Sequence, residues 1–168
     1  SDFLFIKKNK NVKALYSGVL IDNGERRYKA PTREVYNGET YEDLVFSGEN
    51  FAQASTLVVE KEVLKTICFD ETIYQHEDMD FYIKIGKSFG GWMYYDKYLT
   101  IVHWKKEKKI QDFESMIIFY NRYKFGVVDP NNLARYLTWA WVCAARFNET
   151  YKEFYLNELK GIFWKVNI

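Results

Sequence analysis

The chain has 168 residues, 48% hydrophobic and 19% aromatic, with a formal net charge of +1. That length suits one domain, or one with a helical appendage, burying about 70% of its unfolded surface, and the near-neutral charge excludes the basic field that nucleic-acid binding needs. Two cysteines, Cys68 and Cys143, are too few for a disulfide framework, so a reduced, cytosolic chain is expected; no apolar run reaches the roughly 18 to 20 residues of a membrane span.

In chain order, Asp2-Phe3-Leu4-Phe5-Ile6-Lys7-Lys8 reads as the end of a helix, its lysines suited to the negative end of the dipole and Asn9 to a stop. Val12 to Ile21 predicts a buried strand, with Gly18 where another backbone comes close. Asn23-Gly24 before Glu25-Arg26-Arg27-Tyr28 predicts a tight hairpin. Pro31 to Gly38 reads as a loop. Thr40 to Phe46 then reads as a short helix with Thr40 and Asp43 as a capping pair, ended by Ser47-Gly48-Glu49-Asn50. Ser55 and Thr56 precede an apolar strand, Leu57-Val58-Val59; their hydroxyls suit either a bound sugar or neighbouring backbone. Glu60 to Ile67 predicts another short helix.

Between Cys68 and Tyr82, the acids Asp70, Glu71, Glu77 and Asp78 stand with His76 between two apolar runs. Phe81, Tyr82, Ile85 and Phe89 recur at helical spacing, which puts Glu77 and Asp78 in the first turn, where free N–H groups favour acids. That complement to the helix end is one account of them; chemistry is the other. Asp78-Met79-Asp80 lies inside this helix pattern and not at a strand end, so it reads as a coincidental Asp-X-Asp. Gly90-Gly91 breaks the helix, and Trp92 to Tyr95 and Tyr98 to Val102 read as one interrupted strand or two short ones, closed by His103-Trp104. His103 suits a hydrogen-bonded structural role or a ligand role.

Lys105 to Lys109 is a charged break and the best domain boundary. Three helical stripes follow: Ile110, Phe113, Met116, Ile117 and Tyr120; then Leu133, Tyr136, Leu137, Ala140, Trp141, Ala144 and Phe147; then Tyr151, Phe154, Tyr155, Leu159, Ile162 and Phe163. Asp129-Pro130-Asn131-Asn132 supplies an N-cap for the second. Trp139, Val142 and Cys143 lie off its main stripe, so that helix is expected to be buried or to sit in an interface.

The order Ser55-Thr56-Leu57-Val58-Val59-Glu60-Lys61-Glu62-Val63-Leu64, then Phe69-Asp70-Glu71, then Glu77-Asp78 with Phe81-Tyr82-Ile83-Lys84-Ile85 behind, resembles the second half of the catalytic domain of family 2 glycosyltransferases, which have the GT-A fold. It covers roughly residues 1 to 104 and departs at Cys68, where the family commonly has glycine. The resemblance implies an α/β chain: a partial GT-A mixed sheet lacking its N-terminal half, over residues 1–104, and a C-terminal helical region over residues 105–168. It implies an inverting transfer of a sugar from a nucleotide-sugar donor to the hydroxyl of a glycan or lipid-linked acceptor. Asp78 would be the base, assisted by Glu77; Ser55, Thr56 and Trp92 would bind the acceptor; His103 would lie near the diphosphate and its metal. The metal, Mg or Mn, would be held in the intact enzyme by an Asp-X-Asp motif of the donor half, with none bound to this chain, which is therefore expected to be inactive alone. A peripheral contact with the inner face of the membrane through Trp and Lys residues and self-association through an open sheet edge are further expectations. Two other readings stay open: a binding or assembly domain whose acids only cap helices, and a glycoside hydrolase using two of these carboxylates.

Overall fold

A computed structural model of the chain describes residues 12–30, 32–49, 53–104, 111–147 and 149–165. The helix end expected at residues 2–8 and the charged break at 105–109 lie outside them. The fold is mixed α/β: among the described residues, four strands form one sheet and five α-helices accompany it. Two compact units divide the chain, one from Ser1–Glu34, Asn50–Glu71 and Glu77–Lys108, the other from Val35–Glu49, Thr72–His76 and Lys109–Ile168.

In the first unit β1 (Ala14–Asp22) is the central strand. It is buried without interruption from Ala14 to Val19, and a strand covered on both faces selects a continuous apolar run. β2 (Arg27–Lys29) and β3 (Leu57–Val59) pair antiparallel with its two ends, Asp22 opposite Arg27 and Ala14 opposite Val59. β4 (Met93–His103) runs parallel to it, from Leu15 opposite Met93 to Asp22 opposite His103. The runs expected around Tyr94 and Leu99 are therefore one strand, with irregularities flanking Gly18 where it pairs with Tyr98. A Cβ on Gly18 would lie 2.6 Å from Tyr98 Cε1. The close approach at that glycine is thus a tyrosine ring, not the backbone expected.

The hairpin after β1 forms, but through four residues and not two, because Asp22 pairs with Arg27. The Asn23 side chain decides this: its Oδ1 accepts the N–H groups of both Glu25 and Arg26 at 3.0 Å, which holds a wider turn. Residues 60–67 make only a single 3₁₀ turn, Val63–Lys65. Val63 is the one buried side chain of that stretch, too little apolar contact to carry a longer helix past its nucleation cost.

α2 (Glu77–Ser88) supplies the main cover of this unit. Phe81 and Ile85 pack with Ala14 and Val63, while Tyr82 meets Tyr16 edge-on at 5.2 Å and stacks on Trp92 at 5.2 Å.

The second unit holds α1 (Tyr41–Phe46), α3 (Phe113–Tyr123), α4 (Pro130–Phe147) and α5 (Glu149–Ile162). The capping box at α1 forms as expected, Thr40 Oγ1 accepting the Asp43 N–H at 2.9 Å. Asp43 does more: it also accepts the N–H groups of Val128 (3.0 Å) and Asp129 (2.9 Å), tying the start of α4 to α1. Phe46 packs against Phe119 at 5.6 Å and Tyr136 at 4.7 Å, and Ala140, Ala144 and Tyr155 are fully buried. Among the described residues no helix is long and apolar enough to cross a membrane.

Candidate functional site

Glu77 and Asp78 open α2, as acids at helical N-termini do. Asp78 is half-buried and its Oδ1 accepts the N–H of Met79 at 2.9 Å. Burial pushes its carboxyl up to about 6 and the Glu77 carboxylate adds to the rise; the backbone N–H groups of Met79 and Ala54 pull the other way. Desolvation outweighs those hydrogen bonds, which is the condition for a carboxyl that takes up a proton near neutrality. Asp80, two residues on, is fully buried with Lys84 Nζ 2.7 Å away, so it serves the helix and not a ligand.

The 3₁₀ turn Ala54–Thr56 brings two expected acceptor residues to Asp78 by way of Ala54. Ser55 is exposed. Thr56 is buried, and its hydroxyl donates to the Gln53 carbonyl at 2.8 Å. Thr100 on β4 donates to the Ser55 carbonyl at 3.4 Å, which sets the turn against the C-terminal half of that strand.

From this anchor the strand acts as a ruler. At about 3.3 Å per residue, His103 lies roughly 10 Å beyond Thr100, while Trp92 precedes Met93, which pairs with Leu15 near the start of β1. The Trp92 indole N–H donates to the Tyr82 carbonyl at 2.7 Å, fixing the ring in the aromatic cluster. The fold therefore brings Asp78, Glu77 and Ser55 together and sets His103 at the carboxyl end of β4, while Trp92 stacks on Tyr82, one helical turn after Asp78.

At that end, the exposed His103 holds Nδ1 3.8 Å from Asp22 Oδ2, and Arg27 Nε donates to the same oxygen at 2.8 Å. The Arg27 hydrogen bond, helped by the Gly24 N–H, keeps the Asp22 carboxyl below its usual range. Mg and Mn favour clustered oxygen ligands. One carboxylate already matched by a guanidinium, beside one imidazole, does not fit such an ion, and among the described residues no three His, Cys, Asp or Glu side chains group to hold one.

The residue that sequence reasoning passed over is His76. It closes the Thr72–His76 segment of the second unit with φ +73°, the left-handed region that few non-glycine residues enter. Its ring is caged by Phe119 (5.1 Å), Tyr136 (5.8 Å) and Trp139 (5.8 Å). Burial drives its pKa down to about 4, and Nε2 is buried with no hydrogen-bond partner among the described residues. The segment is also held from its own unit: the Tyr74 N–H donates to Ser115 Oγ at 3.0 Å and Gln75 Oε1 accepts the Asp112 N–H at 2.8 Å. A histidine just before a helix carries no periodic signal, so only the tertiary cage could reveal it. No protein-family model, no curated protein and no solved structure matches this chain.

Proposed function

We propose that the chain supplies the acceptor side of an inverting glycosyltransferase of the GT-A type, with Asp78 as the base. One observation carries the reading: a half-buried carboxyl at the head of α2, lifted to about 6, beside the turn that bears the exposed Ser55. A general base works best when its pKa lies near the operating pH. The acceptor hydroxyl oxygen attacks the anomeric carbon of a nucleotide sugar, the bond from that carbon to the diphosphate breaks with inversion, and Asp78 receives the hydroxyl proton. Glu77 strengthens the hold of Asp78 on that proton, and the Ser55 hydroxyl orients the acceptor. The parallel pairing of β1 with β4 supports this, because ligands of open α/β sheets gather beyond the carboxyl ends of parallel strands.

In a turnover-competent protein containing this chain, Asp78→Asn is expected to lower kcat by about 100- to 10,000-fold, and the acid limb of the wild-type kcat/KM profile to bend near pH 6. Unchanged turnover would favour a binding or assembly domain instead. What speaks for that second reading is that the Asp78 carboxylate already accepts a backbone N–H, as a structural cap does.

A further inference from the structure

Within the second unit an open cleft of about 760 Å³ follows one side of α4, lined by Asp129, Asn131, Arg135, Thr138, Trp139 and Val142. The positions from Asn131 onward recur at three and four residues, so one helical face presents them. Trp139 is 44% exposed and is steadied from within by the rings of His76 at 5.8 Å and Tyr136 at 5.9 Å. Asp129 Oδ1 accepts both the backbone N–H and the side-chain Nδ2 of Asn131 at 2.9 Å. Asp129 Oδ2 and the Asn131 carboxamide oxygen can act only as acceptors, and the same lining carries the Arg135 guanidinium and the Thr138 hydroxyl as donors.

We propose that this cleft binds a short neutral saccharide. A broad ring held rigid by its neighbours matches the C–H face of a sugar, and mixed donors and acceptors match hydroxyls that do both. The volume falls in the range of small-ligand sites. A polyphosphate would meet the Asp129 carboxylate, and a wholly apolar ligand would take the Arg135 guanidinium out of water and offer it no acceptor. The assignment rests on the glycosyltransferase reading only for the origin of the saccharide, since neither Asp78 nor a donor takes part in binding here.

The test is a titration of the 168-residue chain with tetrasaccharides of glucose, mannose, galactose and N-acetylglucosamine, each to about 20 mM, read from tryptophan indole NMR resonances assigned with Trp139→Phe. At least one sugar is expected to shift the Trp139 resonance saturably. Arg135→Ala, at an exposed position, is expected to weaken that binding at least about fivefold, with the far-UV dichroism unchanged. Absence of any shift, binding undiminished in both Arg135→Ala and Trp139→Ala, or a preference for inorganic pyrophosphate over every neutral sugar would overturn the proposal. Intact sugar binding together with full turnover of Asp78→Asn would overturn the transferase reading alone, so the two failures are separable.

Discussion

In mild acid, Asp78 and His76 are held in protonation states that water would not choose, the first keeping its proton and the second staying neutral. Because the Asp78 pKa is raised from 3.8 to about 6, the folded chain binds that proton more tightly than the unfolded one. Its contribution to stability is complete below pH 3.8 and is lost as the pH climbs through 6, a swing of roughly 3 kcal/mol at most. Asp78→Asn removes the charge and keeps the shape. It is expected to raise Tm at about pH 8 and to change it little near pH 3.5; equal shifts at both pH values would refute this. His76 runs the other way. With its pKa lowered from 6.5 to about 4, it stabilises the fold fully above pH 6.5, and that contribution is lost as the pH falls towards 4. Urea melts across this range should show the loss in the parent and not in His76→Asn, which tolerates a positive φ; His76→Val should be weaker than His76→Asn by about 1–2 kcal/mol more, because a β-branched residue resists that backbone.

At the scale of single elements, two contacts invite measurement. Gly18→Ala would drive a methyl into the Tyr98 ring and is expected to destabilise by about 1–3 kcal/mol, with part of that recovered when Tyr98 is also shortened to leucine. Asp43→Ala removes the carboxylate half of the capping box of α1, which accepts the Thr40 N–H, and both bonds to the start of α4, and is expected to lose about 2–4 kcal/mol by chemical denaturation. The Asp43 carboxyl is raised by burial but lowered further by the N–H groups of Asp129 and Val128 and by Thr40 and Asn132, so this stabilisation fades as the pH falls below the ordinary carboxylate range. The elements themselves were legible unevenly. α1 and α2, and the three helices after them, showed in capping residues and a repeat near 3.6, which are local properties. For β4 the residues left one interrupted strand and two short ones both open, and pairing with β1 decided for the single strand with irregularities beside Gly18. Residues 60–67 looked helical on propensity alone, which is weak without an apolar face to bury.

The whole molecule is built from two units that share the chain in alternation. The helical unit borrows α1 and the Thr72–His76 segment from sequence far ahead of α3. A peptide of residues 109–168 would lack Phe46, His76 and Asp43, taking two rings from each of Phe119 and Tyr136 and the anchoring carboxylate from α4. Such a peptide is expected to show little fixed structure by near-UV dichroism, whereas a cooperative melt would refute the dependence. The sequence by itself determined where the five described α-helices fall, that a turn follows β1 and that two acids head α2, because capping, turn chemistry and apolar repeats act within about ten residues. Only the tertiary structure decided that Asp78 sits beside Ala54, that His76 lies in a cage of three rings, and that Trp92 meets Tyr16 edge-on. Those outcomes come from burial and pairing between residues distant in the chain, to which local propensity is blind.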